Sequence, residues 1–319
     1  MIKVALFGYG HLGKIHYKCL QQTAFDFIGY FDPNVSQSGG AESEIRRFEN
    51  DDQLMSECDV CIIASTTSSH AELIKQAIRR GKHFFVEKPM TSTAAEAIEI
   101  DQLLSSRPEL ISQVGFVERY NPAYTFIKPA IVEPRFIEVH RLSGFSDRGN
   151  DVSVVLDLMI HDLDLVLSMV PSEVKEIKAN GLKLVSDSLD ICNARIEFEN
   201  KSVANLTASR MSLKQMRKFR VFQKDAYVSL DLDEKKAQVV SLSDVSAKDA
   251  MKVNFGGGDK YLSITNSEKF DGNAIVDELN DFYNAIKNNQ QPMTNCRAAL
   301  RTSIVADQIE KIALESSMI

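Results

Sequence analysis

Cysteine, net positive charge and long apolar runs are all scarce in this 319-residue chain, and each absence removes a class of function. The five cysteines, Cys19, Cys58, Cys61, Cys192 and Cys296, are odd in number and scattered. They do not suggest a disulfide framework. Lysine and arginine number 37 against 44 aspartates and glutamates, a net charge of −7. Nothing electrostatic supports a nucleic-acid partner. No apolar run is long enough to span a bilayer, so no membrane partner is expected. The N-terminus lacks a basic stretch followed by an apolar one and enters directly into a strand-like run. A cytoplasmic location is therefore expected.

What remains is an ordinary globular composition, 44% hydrophobic and 25% charged. The length suits two domains, each large enough to bury its own core. Cys58 and Cys61 form a C-x-x-C, a pattern shared by redox pairs and half zinc sites. Cys61 falls inside Asp59–Ser65, which reads as a buried parallel strand, whereas a redox pair belongs at a helix N-terminus. No second pair completes a zinc site. The two read as small buried hydrophobes, and no metal is expected.

The most informative segment is the first 32 residues. The apolar run Lys3–Phe7 ends in Gly8-Tyr9-Gly10-His11-Leu12-Gly13, and Asp32 follows about 20 positions later, as the dinucleotide fingerprint requires. Gly8 allows the tight strand-to-helix turn, Gly10 lets backbone approach a pyrophosphate, and Gly13 lets the helix pack close to the strand. The helix N-terminus offers free N–H groups and a positive dipole end to the phosphates. Asp32 can accept hydrogen bonds from ribose hydroxyls, and its charge repels a 2′-phosphate. The expected cofactor is NAD, with NADP less favoured.

Residues 1–118 alternate between strand-like and helix-like runs. Strands are expected at Lys3–Phe7, Phe27–Phe31, Val60–Ala64, His83–Val86 and Ile111–Gly115. Helices are expected at Leu12–Gln21, His70–Arg80 and Ala94–Ser105, the last with a capping-box spacing from Thr93 to Glu96. This order implies a doubly wound parallel sheet, a Rossmann domain. From 119 to 319 the pattern changes. Runs such as Cys192–Glu199 alternate apolar and polar residues, as in an antiparallel sheet with one wet face. Strands are expected at Phe136–Leu142, Val174–Leu184, Asp190–Glu199, Ser202–Ser209, Lys218–Gln223, Tyr227–Leu232 and Gln238–Leu242. Helices are expected at Ser153–Met169, Ala274–Lys287 and Arg297–Glu315. The class is α/β overall, with a C-terminal α+β domain built on a large, mostly antiparallel open sheet.

Two clusters carry chemistry. Glu87-Lys88-Pro89 follows an apolar strand directly, and in an open parallel sheet ligands sit outside the carboxyl ends of the strands. Lys88 either points into that crevice or is a solvated loop lysine, and position alone does not choose. Asp157, His161, Asp162 and Asp164 lie in an otherwise hydrophobic helix, where such groups are costly unless partnered. Asp157 and His161 are four apart and share a face. An acid–base pair ranks first, a buried polar network second and a metal site third.

Together these segments resemble the Gfo/Idh/MocA oxidoreductases over nearly the whole chain. Gly8-Tyr-Gly-His-Leu-Gly13-Lys-Ile-His16 is similar to the family's opening motif. Ala64-Ser-Thr-Thr-Ser-Ser-His70 resembles a further turn, although Thr66 stands where a proline is usual. Gly81-Lys-His-Phe-Phe-Val-Glu87-Lys88-Pro89 is similar to its most diagnostic segment, and Asp157-x-x-x-His161-Asp162 to its catalytic helix.

The resemblance implies that Lys88, Asp157 and His161 are catalytic. It places Gly8, Tyr9, Gly10, His11, Leu12, Gly13, Asp32, Ser65, Thr66, His70, Glu87 and Lys88 around the cofactor. Gly115-Phe-Val-Glu-Arg119-Tyr-Asn121-Pro122, Val154–Asp162 and Ala208-Ser-Arg210 are similar to the branch acting on UDP-N-acetyl-hexosamines. That branch oxidises the sugar 3-hydroxyl with NAD, so a nucleotide-sugar is the expected small-molecule partner. A free polyol or aldose dehydrogenase and a non-catalytic NAD-binding regulator are the alternatives. Arg119, Tyr120, Asn121, Arg148, His161 and Arg210 are expected to meet the substrate. One or two of Arg119, Arg141, Arg148 and Arg210 are expected on its diphosphate, because arginine matches phosphate oxygens bidentately. A homodimer or homotetramer through the C-terminal sheet is also implied.

Overall fold

The computed structural model describes residues 1–35, 45–144, 152–246, 250–254, 258–268 and 272–317. The chain divides into two compact units. The first contains Met1–Val117 and Asn273–Val305, the second Glu118–Gly272 and Ala306–Ile319. The expected boundary near 118 therefore needs one correction, because the chain returns to the first unit after Gly272.

In the first unit, strand alternates with helix: β1 (Lys3–Phe7), α1 (His11–Leu20), β2 (Asp26–Phe31), α2 (Asp51–Glu57), β3 (Val60–Ile63), α3 (Thr67–Arg79), β4 (His83–Glu87), α4 (Ala94–Ser105) and β5 (Ser112–Gly115). The five strands form one parallel sheet in the order β2-β1-β3-β4-β5. The order reverses after β2, so the topological switch point lies between β1 and β3. Val60, Cys61, Ile62 and Ile63 of β3 are all fully buried, the mark of a strand covered on both faces. α4 has the expected bounds and a complete capping box between Thr93 and Glu96.

Later in the chain, α7 (Ala274–Asn288) belongs to this unit, capped by Asn273, whose Oδ1 accepts from Ile275 N at 3.1 Å. Its Leu279, Phe282 and Ala285 join Val4, Leu6 and Phe85 in one apolar cluster. Burying that stripe is the physical reason for the return. The final helix, α8 (Cys296–Glu315), begins in this unit, and its turns from Ala306 count with the second.

The second unit contains a short helix α5 (Pro122–Ile127) and β6 (Pro134–Leu142). A single helix follows, whose first turn, Val155–Met159, is π-helical before it continues as α6 (Ile160–Met169). Then come β7 (Val174–Leu182), β8 (Ile191–Phe198), β9 (Val203–Ser209), β10 (Met216–Gln223), β11 (Ala226–Asp231), β12 (Lys236–Ser243), β13 (Met251–Asn254) and β14 (Asp259–Asn266). These form a nine-stranded sheet in the order β13-β14-β12-β11-β10-β6-β9-β8-β7. Its neighbours are antiparallel except β6 and β9. Alternation follows the sequence pattern: Cys192, Ala194, Ile196 and Phe198 of β8 are buried, and Asn193 points outward. α6 packs on the same sheet, against β6 and β9.

The five cysteines are free and buried. No helix among the described residues is long and apolar enough to cross a membrane.

Candidate active site

The glycine turn shows three different reasons for three glycines. Gly8 has φ +100°, and a Cβ there would lie 2.6 Å from both Ala64 O and Ser65 N. A Cβ at Gly13 would lie 2.2 Å from Gly8 O. These two glycines are required by the protein itself. Gly10 is not: its backbone is extended (φ −70°, ψ −158°), and an added Cβ would meet nothing within 4 Å. It opens a cradle at the start of α1, where no side chain caps the helix, whereas Asn50, Thr93 and Asn273 cap α2, α4 and α7. Exposed Gly10 and His11 beside free N–H groups fit an incoming phosphate. Tyr9 enters only through its backbone. Its ring is buried and stacks on Tyr30 at 3.9 Å. Leu12 is half-buried on the first turn of α1.

Asp32 is 8% exposed at the end of β2. Its Oδ2 accepts from Tyr9 N at 2.7 Å and its Oδ1 from Asn34 N at 2.8 Å. Each oxygen keeps a second lone pair for a ribose hydroxyl. The carboxylate lines a cavity of about 280 Å³ together with Gly8, Ser65, Thr66, Asp51 and Glu72. Three carboxylates on its wall disfavour a 2′-phosphate, in line with NAD.

Ser65 and Thr66 form the turn into α3, whose N-terminus also lacks a side-chain cap. Two residues expected around the cofactor prove to be internal braces. His70 is 1% exposed. Its Nδ1 lies 2.9 Å from Pro89 O and its Nε2 3.2 Å from Ser65 O, so it ties the β3 turn to the β4 turn. Burial lowers its pKa, and the carbonyls only partly offset that. Glu87 is turned inward, with Oε1 2.6 Å from His16 Nε2 and Oε2 accepting from Lys88 N at 3.2 Å. Lys88 itself is half-buried at the carboxyl end of β4.

In the second unit, Asp157 and His161 are both half-buried on the helix that carries the π-helical turn. The helix bounds match expectation to within a residue, but the i→i+5 turn around Asp157 was not expected. Such turns recur at functional sites. Asp162 and Asp164 are buried and paired with Arg141 and Arg119. Among the described residues no cluster of three or more His, Cys, Asp or Glu is placed to hold a metal.

The arginines expected to meet a diphosphate require the largest correction. Arg141 donates from Nε and Nη2 to Asp162 at 2.7–3.0 Å and from Nη2 to Glu118 Oε1 at 3.0 Å. Burial alone would lower its pKa, but the two carboxylates outweigh burial and hold it above the ordinary range. Arg119 is bound to Asp164 through Nε and Nη2, the latter at 2.9 Å from Oδ1. Arg210 donates to Asp190 Oδ1 at 3.0 Å and to the carbonyls of Val152 and Leu189. All three are buried and spent on internal acceptors. Asn121 is likewise committed: its Oδ1 caps α5, and its Nδ2 donates to Glu118 and Leu232 O. Tyr120 is half-buried, and Arg148 lies outside the described residues.

Family models match both parts of the chain. One describes an oxidoreductase family with an NAD-binding Rossmann fold, over residues 2–116. The other describes a GFO/IDH/MocA C-terminal domain, over residues 131–229. The chain belongs to the Gfo/Idh/MocA oxidoreductases. Among members of that family, UDP-N-acetylglucosamine 3-dehydrogenase of Acidithiobacillus ferrooxidans is 30% identical over 99% of this chain and 98% of its own length. A solved structure of that enzyme superposes with a TM-score of 0.88 at 28% identity, covering 99% of this chain and 98% of the other. The scyllo-inositol 2-dehydrogenase (NAD(+)) of Bacillus subtilis is 27% identical over 66% of this chain and 68% of its own. Levoglucosan dehydrogenase, solved with NADH, shares the fold with a TM-score of 0.84 at 17% identity, covering 99% and 98%. As a Gfo/Idh/MocA oxidoreductase, this protein has an NAD-binding first domain, which accords with the open cradle at Gly10.

Proposed function

We propose that this protein is an NAD-dependent dehydrogenase that oxidises the 3-hydroxyl of a UDP-N-acetyl-hexosamine or its uronic acid. The observation that carries the substrate class is the full-length likeness to a UDP-N-acetylglucosamine 3-dehydrogenase. When bound, NAD supplies the hydride acceptor. The hydroxyl proton must leave as the hydride does, and His161 takes it. Asp157, one helical turn back, orients the imidazole and stabilises its charged form. Lys88 donates to the same substrate oxygen and stabilises the charge that develops there. The Gly10 cradle and the uncapped start of α1 bind the pyrophosphate, and Asp32 holds a ribose.

The test compares UDP-N-acetylglucosamine, free N-acetylglucosamine and inositol as reductants of NAD. The expected kcat/KM for the nucleotide sugar exceeds that for either free compound by about 100-fold or more, because the free compounds lack every contact to the nucleotide. Equal or better turnover of inositol would move the protein to the polyol dehydrogenases.

We also propose that the outer face of the nine-stranded sheet joins copies of the chain into a dimer or tetramer. Phe136, Phe222, Tyr227, Val240 and Ile264 stand in register across five strands. The rings of Phe136, Phe222 and Tyr227 touch along this row, at 5.0–5.9 Å between centroids. Phe222 is 39% and Ile264 52% exposed in the single chain, and such a patch marks an interface. Sedimentation of the wild type should give a dimer or larger, and Phe222→Lys should lower the mass. A monomeric wild type would refute the interface.

A further inference from the structure

His16 and Glu87 form a buried pair that the proposed mechanism does not use. His16 sits on α1, fully buried, with its ring edge-on to Phe85 at 5.3 Å. Its Nε2 lies 2.6 Å from Glu87 Oε1. Its Nδ1 is buried without a hydrogen-bond partner. Glu87 Oε2 accepts from the backbone N of Lys88 at 3.2 Å. Room for that carboxylate is kept by Gly115, where a Cβ would come within 2.8 Å of Oε2.

A buried carboxylate is expensive, and joining α1 to β4 does not require one. An apolar pair of similar volume would do so as well or better. The carboxylate provides what an apolar side chain cannot: it accepts from the Lys88 peptide N–H and so fixes that peptide. Its partner rides on the helix whose first turn forms the phosphate cradle.

We propose that Glu87, held by His16, is a positioning residue for Lys88, fixing the lysine against the phosphate-binding helix. This rests on the role given to Lys88 above. The pair is not a catalytic dyad, because neither member is placed to touch substrate.

The test uses the full-length enzyme with three variants, Glu87→Gln, His16→Leu and His16→Gln. Glutamine at 87 keeps the volume and an acceptor but loses the charge. Leucine at 16 removes the donor, and glutamine at 16 restores one. Expected for Glu87→Gln and His16→Leu is a fall in kcat of about tenfold or more, the usual scale for supports of this kind, with both KM values within about twofold. His16→Gln should recover most of the loss seen in His16→Leu.

A second readout needs no substrate. The labelling rate of Lys88 by an amine-directed reagent, mapped by mass spectrometry against Lys14 in the same sample, should rise several-fold in Glu87→Gln and His16→Leu. Unchanged Lys88 labelling in both variants would overturn the proposal, as would kcat within twofold of wild type. Should Glu87→Gln not fold, the His16 pair gives the same decision. If the wild type oxidises no sugar with NAD, the functional reading fails while the labelling result still judges the pair.

Discussion

Replacing Lys88 with alanine should lower kcat by about 10²–10⁴-fold, the range for a lost proton-handling or charge-stabilising group. His161→Asn should fall in the same range. The asparagine keeps a polar side chain of similar reach but cannot accept a proton at working pH. Neither change touches the glycine turn, Asp32 or the start of α1, so NAD affinity should stay within a few-fold of wild type. Steady-state kinetics paired with NAD titration checks both halves. The double variant should be little worse than either single one, because in the proposed mechanism both groups serve the same substrate oxygen, and the effects of such groups are not additive. Turnover within a factor of a few in either single variant would remove that residue from the mechanism. A loss of NAD binding confined to Lys88→Ala would mean that the lysine also holds the cofactor, whereas a loss in both variants would point to misfolding.

Arg141→Ala should destabilise the second unit by about 3–5 kcal/mol, the range for removing one partner of a buried ion pair. The guanidinium is 3% exposed and lies between Asp162 and Glu118. Truncation leaves buried Asp162 without the guanidinium that binds it, while Glu118 keeps the more distant Arg217, with Nη1 3.4 Å from Oε1. Arg141→Lys should recover only part of the loss, since an ammonium cannot reproduce the fork that meets both carboxylates. Urea unfolding followed by fluorescence and far-ultraviolet dichroism measures it. A cost below about 1 kcal/mol, typical of exposed pairs, would show that the network is solvated. Asp162 directly follows His161, so the variant should also lose activity at temperatures where it remains folded.

These arginines show where sequence reasoning stops. Arg119, Arg141 and Arg210 have the residue type a diphosphate needs, and the sequence shows nothing of what lies opposite them. Their partners, Asp164, Asp162 and Asp190, are 45, 21 and 20 residues away. An arginine aimed at a phosphate and one aimed at a distant carboxylate look alike along a chain. Three acidic residues in the hydrophobic helix already demanded partners, and Arg119 and Arg141 turn out to be the partners of two of them.

Local rules fared differently. The capping box at Thr93, the glycine turn and the strand runs Lys3–Phe7 and His83–Val86 each depend on neighbours in sequence, and the structure places them within a residue or so of expectation. α2 was missed because seven residues carry too little periodicity to announce a helix. β13 was missed because it ends the sheet with three of its four residues exposed, and β14 is half-buried at Lys260–Ser263 and exposed from Ile264 to Asn266, so neither shows the alternation that marks a strand. The π-helical turn at Asp157 leaves no trace in apolar spacing. The return of α7 to the first unit depends on which core its stripe of Leu279 and Phe282 fills, and an amphipathic pattern does not name its partner.

The central claim is hydride transfer from carbon 3 of a UDP-N-acetyl-hexosamine to NAD. It is tested most directly with UDP-N-acetylglucosamine carrying deuterium at that carbon. Incubated with the protein and NAD, the labelled sugar should yield reduced cofactor containing the deuterium, as read by mass spectrometry. Lys88→Ala and His161→Asn should yield almost none. Reduced cofactor without deuterium, or no reduction from this sugar alongside reduction from a free polyol, would contradict the claim.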